Sequence, residues 1–212
     1  MNTDELIQQL ANEGAQQPLM HPIKRALLWY SGAFAFVFTA IYLKGFRADL
    51  LDKLNETDFI LETVILLSIT LYSAATAFYS ARPEGISKYS SLPIYLFMLC
   101  LVILTIYTSD TILHLNHISH AFESLMLACS CKIIIVSLLP TIVMFYLLRK
   151  GATIHQKKTG FFAALSTSLY AYLFMRYVEP VDDIFHLVLW HVTPVMLLCF
   201  IISYASIRIL KW

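Results

Sequence analysis

Six runs of apolar residues, at 26–43, 60–81, 92–107, 125–148, 161–175 and 185–210, constrain this 212-residue chain more than any other feature. A helical span takes about 20 residues, with about 17 as the lower limit. The runs at 92–107 and 161–175 are therefore short and are expected to extend into their flanks. Backbone polar groups inside lipid have to be paired within the segment, and none of the runs alternates with the period of two that barrel strands need. The expected fold is all-α: a polytopic membrane protein with six transmembrane helices. Composition agrees, with 58% hydrophobic and only 14% charged residues, more apolar surface than a soluble core of this size requires.

Charge gives the spans a direction. Lys24, Arg25, Arg82, Lys88, Arg149, Lys150, Lys157, Lys158, Arg208 and Lys211 fall on one side, ten of the fifteen basic residues. The positive-inside rule places that side in the cytoplasm. The other side holds Lys44, Arg47, Lys53 and Arg176, with Lys132 nearby, and gathers ten of the fourteen acids: Asp49, Asp52, Glu56, Asp58, Glu62, Asp110, Glu123, Glu179, Asp182 and Asp183. Both termini are expected in the cytoplasm. The polar first 25 residues read as a retained tail rather than a cleaved signal peptide. The net charge of +1 and the scatter of basic residues over loop ends argue against direct contact with nucleic acid.

The chain divides into a cytoplasmic, partner-binding tail at 1–23 and a six-helix transmembrane domain at 24–212. In the tail, Asn2 can cap a helix with Glu5 at the capping-box position, and Asp4 and Glu5 suit the positive end of the helix dipole. Leu6, Ile7 and Leu10 then share one face. So short a helix is unstable alone and becomes ordered by docking. Two surfaces fit it: the bilayer, which its acidic first turn disfavours, or a groove on a partner protein. Pro18 and Pro22 hold the chain extended up to Lys24, Arg25 and Trp29, which suit the headgroup level.

Polar residues within spans are costly and mark function or a buried pair. Glu62, Lys132 and His191 all fall in the outer half; Lys132 with Glu62 reads as an interhelical pair, and His191 as a donor to a carbonyl or carboxylate. Cys100 and Cys199 read as packing residues. Cys129 and Cys131, near the outer end of the fourth run, point about 200° apart on a helix, which opposes a disulfide or joint chelation between them. His114, His117 and His120, between Asp110 and Glu123, form one polar stripe on a helix. Such spacing allows a shared metal ion; the alternative is an exposed, weakly structured outer loop without an ion. His186 and His191, five apart on one helix, make a poor ligand pair for haem. No phosphate loop, nucleophile elbow or zinc-protease motif is present, so neither catalysis nor a cofactor is expected. A transporter of small solutes or metal and a structural subunit of a membrane complex are the alternatives from other functional classes.

The tail TDELIQQLA (3–11) followed by HPIKRALLW (21–29), then CKIIIVSLLP (131–140), LLRKGA (147–152) with Thr159 and Gly160, and DDIFHLVLWHVTP (182–194), resemble in order and spacing the NrsF family of bacterial inner-membrane proteins, negative regulators of sigma F. The resemblance implies a multi-pass anti-sigma factor that holds an extracytoplasmic-function sigma factor at the membrane and releases it on an envelope stress signal. It also implies outer-side cysteines, one at the position of Cys131. At the second expected position this chain has Glu179 before Pro180, so sensing of a metal ion or an oxidant would need Cys129 to substitute, or a carboxylate and histidine set to take over. Both lines together make Asp4, Glu5, Leu6, Ile7 and Leu10 the expected sigma-binding residues. Cys131, Lys132, Glu179, Asp182, His186 and His191 form the expected sensing end.

Overall fold

The computed structural model describes residues 21–82, 127–151, 153–183 and 186–211, together with Gln8 and Tyr95. The tail positions Asp4, Glu5, Leu6, Ile7 and Leu10, the run at 92–107 apart from Tyr95, Cys100 included, and the stripe His114, His117 and His120 lie outside the described residues. Among the described residues all regular structure is helical. Helix α1 spans Pro22–Lys44, the single turn α2 Leu50–Lys53, α3 Thr57–Ser80, α4 Leu127–Leu148, α5 Gln156–Val178 and α6 Thr193–Ile209, with a π-helical turn at Leu187–Val192 leading into α6.

The helix ends follow local chemistry. Pro22 opens α1, where its missing N–H is no loss. Gly45 closes the helix at φ 97°, donating its N–H to the Ile41 carbonyl at 2.8 Å; a side chain would be strained in that conformation. Asp58 lies in the first turn of α3, and Arg176 and Arg208 lie in the last turns of α5 and α6, each with the sign the helix dipole favours.

Four stretches are long and apolar enough to cross a membrane: α1, α3, α4, and the π turn joined to α6 (187–209). Their outward faces carry large apolar side chains such as Leu43, Ile135 and Phe200, as lipid contact requires. Helix α5 is as long but less apolar, and it lies at the centre. It packs against α1, α3, α4 and α6 and is buried without a break from Phe162 to Arg176. A helix surrounded by protein has no need of a lipid-facing surface, so Ala163, Ala164, Ser166, Thr167 and Ser168 replace bulky residues and let neighbours approach. Ser166 donates to the Thr70 carbonyl of α3 at 2.8 Å, and Thr141 of α4 to Thr167 at 2.8 Å. Tyr170 donates to the Tyr30 carbonyl of α1 at 3.1 Å. Bonds of this kind are worth about 0.6 to 2 kcal/mol each between membrane helices.

The helices form two ends. At one, His21 meets Tyr79, Ser80 shares a hydrogen bond of 2.8 Å with Thr159, and Gln156 donates to the Leu210 carbonyl. This end carries Lys24, Arg25, Arg82, Arg149, Lys150, Lys157, Lys158, Arg208 and Lys211. At the other, the Arg47 amide donates to the Tyr177 carbonyl at 3.0 Å, beside the acidic residues of 49–62 and 179–183. The charge sorting read along the chain is thus a sorting in space. It holds α5 between a basic end and an acidic end.

At the basic end α5 and α6 touch at Gly160, where an added Cβ would collide with Ser206 Oγ and Cβ. Gly160→Val should lower stability by about 1–3 kcal/mol, read as an apparent Tm several degrees lower in detergent. Gly32→Ala, with no atom within 4 Å of the new Cβ, should leave Tm nearly unchanged. Equal losses at the two positions would contradict this packing.

Candidate functional site at the acidic end

Two polar clusters meet where α5 ends. The first is built on arginines. Arg176, in the last turn of α5, grips Glu62 of α3 with two hydrogen bonds, Nε to Oε1 at 3.1 Å and Nη2 to Oε2 at 2.9 Å. Its Nη1 reaches Asp182 Oδ1 at 2.7 Å. Arg47, from the connection after α1, takes both oxygens of Asp182 at 3.2 and 2.9 Å and pairs with Asp49 at 2.7 Å. Lys53 adds a third cation at 3.1 Å from Asp182. Phe59 lies beneath both guanidinium groups, 5.9 Å from Arg47 and 5.5 Å from Arg176, a cation–π seat. Tyr172 donates to Glu62 Oε1 at 3.0 Å.

This arrangement revises the pairing expected from the sequence. Glu62 belongs to Arg176, not to Lys132, because α5 lies between α3 and the start of α4. Burial opposes ionisation of Asp182, yet hydrogen bonds from Arg47 and Arg176 and their charge outweigh it. The carboxyl is held well below its ordinary value of 3.8. The cluster therefore ties the α1–α3 connection, α3, α5 and the 179–183 segment together through charge-assisted bonds.

The second cluster lies on the opposite side of the same segment. Glu179, the residue after α5, accepts a hydrogen bond from Cys129 Sγ at 3.3 Å. Lys132 Nζ lies 3.5 Å from its Oε1, and His191 Nε2 lies 3.7 Å from its Oε2, beyond hydrogen-bond reach. Burial works against ionising Glu179, but His191, Cys129 and Lys132 more than offset it and hold the carboxyl at about 2. His186 stacks edge-on to His191 with ring centroids 5.1 Å apart, and Tyr172 does the same from α5 at 5.7 Å.

The π turn accounts for the histidine pair. Five residues of α-helix would turn His186 and His191 to different faces, but the i→i+5 bonding of a π-helix stacks residues five apart. The pairing judged poor on an α-helix is close for that reason. Pro194 lacks an N–H and cannot bond the Trp190 carbonyl as an α-helix would; Ser130 Oγ donates to that carbonyl instead, at 2.9 Å. The N-terminus of α4 is thereby fixed against the turn.

Both histidines are almost fully buried, His186 3% and His191 1% exposed. Their four ring nitrogens and Glu179 Oε2 have no hydrogen-bond partner among the described residues. An unsatisfied buried polar group costs about 1–3 kcal/mol, so this cluster is a place of stored polar demand.

Of the six expected sensing residues, the structure gathers Lys132, Glu179, His186 and His191 in this cluster and puts Asp182 in the arginine cluster. Cys131 is exposed on the outer face of α4, whereas Cys129 is buried against Glu179. Arg47 and Arg176 counted in the sequence only as minority outer cations. The hint available for Arg176 was a guanidinium at the tail of an apolar run, where a buried partner is required.

A family described as NrsF, negative regulator of sigma F, matches residues 10–212. The chain belongs to that family. No curated protein and no solved structure matches it.

Arg176→Met leaves Glu62 without its cation and should cost about 3–5 kcal/mol; adding Glu62→Leu, which removes the stranded charge, should restore much of the loss. Additive losses in thermal unfolding would contradict the pairing. The pH dependence has a defined sign. A carboxyl depressed on folding stabilises fully above its unfolded value and loses that contribution as pH falls through its folded value. For Asp182 stability should hold from neutrality to about pH 4 and drop below it, and Asp182→Asn should flatten that drop. An unchanged acid limb in the variant would rule out the Asp182 contribution.

Proposed function

We propose that this member of the NrsF family holds a sigma factor of the extracytoplasmic-function type at the bacterial inner membrane and releases it when the acidic end of the bundle receives an envelope stress signal. The family match over residues 10–212 carries this reading; that family is one of negative regulators of a sigma factor. The four apolar stretches suit a membrane location. With central α5 and the run at 92–107 they make six spans with both termini in the cytoplasm. The basic end then faces the cytoplasm and the two polar clusters face outward.

The tail at 1–23 is the sigma-binding element in this scheme. Leu6, Ile7 and Leu10 supply an apolar helix face, Asp4 and Glu5 the charge beside it, and docking supplies the order so short a helix lacks alone. The sensing end comprises Lys132, Glu179, Asp182, His186 and His191, with Cys131 on the exposed face as the thiol open to an oxidant. A signal frees sigma only by favouring the conformation that binds it weakly. A hundredfold fall in affinity corresponds to about 2.7 kcal/mol of coupling, a magnitude that rearranging one buried ion pair supplies.

Removing residues 1–17 should abolish repression of a sigma-dependent reporter while membrane insertion is retained, and Leu6→Asp should do the same. Full repression by the truncated chain would refute the tail as the binding element. A reporter fused after Trp212 should be active only in the cytoplasmic form, and one inserted between Gly45 and Glu56 only in the external form; the reverse pattern would overturn the orientation.

A further inference from the structure

We propose that Cys129, Glu179, His186 and His191 form a binding site for a divalent transition-metal ion of the Zn²⁺ type. Each contributes one ligand atom, and those atoms all lie within 4.8 Å of one another. A tetrahedral zinc site with ordinary bond lengths keeps its ligand atoms roughly 3.5 Å apart. Cys129 Sγ lies 3.3 Å from one Glu179 oxygen, Oε1, and His191 Nε2 lies 3.7 Å from the other, Oε2, so each has that spacing to a different oxygen of the carboxylate. Closing the set requires the remaining ligand atoms to draw in from separations of up to 4.8 Å.

Three properties of the site favour an ion over a merely polar contact. The imidazoles are buried with ring nitrogens unpartnered among the described residues, the state of a ligand before its metal. The donor set of one sulfur, two nitrogens and one oxygen selects Zn²⁺ or Co²⁺ and disfavours Mg²⁺ and Ca²⁺, which prefer an all-oxygen shell. The charges also cancel: a thiolate and a carboxylate around a dication leave no net charge, which suits a site at the edge of a low-dielectric bundle. Lys132, whose side chain is 36% exposed, sits beside Glu179 and can withdraw to solvent as the ion enters, marking the route in.

Binding is a proton-for-metal exchange without electron transfer. The Cys129 thiol gives one proton to solvent, and its sulfur forms the metal bond. The ion would clasp the start of α4, the residue after α5 and the π turn. Metal binding stands independently of the sigma-factor reading; only its use as a signal rests on it.

Titrating the full-length chain in nanodiscs with Co²⁺ tests the site, because tetrahedral thiolate coordination gives a near-ultraviolet sulfur-to-cobalt band and strong visible bands. The expected result is saturation at one ion per chain, with bleaching by Zn²⁺. Cys129→Ser should remove the sulfur band, and His186→Gln or His191→Gln should weaken binding at least about tenfold. Cys131→Ser, on the exposed face and outside the ligand set, should leave the cobalt bands unchanged. No saturable band in the native chain overturns the proposal, as does a band that survives Cys129→Ser or is lost in Cys131→Ser. Should the variants fold poorly, the native chain still decides: saturating Zn²⁺ should raise its Tm, and an unchanged Tm counts against the site. Because no sigma factor is present, failure here leaves the sigma-factor reading untouched, and failure to bind sigma leaves these spectra unchanged.

Discussion

Arg176 is the group on which the acidic end depends. A guanidinium at the end of a buried helix is costly unless every donor is used, and here Glu62 and Asp182 use them from two different segments. Removing water from such a group makes the geometry specific, because a displaced carboxylate leaves a buried charge unpaired. The position of the 179–183 segment follows from that requirement. So does the position of Glu179, which the same segment carries to Cys129 and His191.

Helix α5 joins this end to the basic one. It touches each of the other long helices and is tied to α1, α3 and α4 by side-chain hydrogen bonds. Its small and hydroxyl-bearing residues let the neighbours come close, and Gly160 gives room to Ser206 of α6. On the proposed reading a change at Glu179 or Arg176 would shift α5 as a unit, because interiors packed in this way do not deform smoothly. The basic end, where His21 meets Tyr79, is the other end of that unit.

The lipid-facing part of the fold was plain in the sequence, since apolar length and charge asymmetry are local properties. The runs at 26–43, 60–81 and 125–148 correspond to α1, α3 and α4 within a few residues. The run at 161–175 extends at both ends into Gln156–Val178, as its shortness required. Its central place was not legible: burial within protein shows only as lower hydropathy, which also reads as a weaker span. That Glu62 needs a partner is legible in the sequence; that the partner is Arg176 and not Lys132 is not, because which helix lies between two others is a tertiary fact. The π turn was hidden for a related reason. Pro194 announces an interrupted hydrogen-bond ladder, but whether the ladder widens or kinks depends on Ser130, sixty residues away.

On the proposed function, the polar clusters of the acidic end bias how tightly a sigma factor is held at the other end. The most direct test is the affinity of the purified full-length chain in nanodiscs for its cognate sigma factor, measured for the native protein and for Glu179→Gln. Specific, saturable binding that changes at least about tenfold in the variant, about 1.4 kcal/mol of coupling, is the predicted result. A native chain that captures no sigma factor, or one whose affinity is identical in the variant, would contradict it.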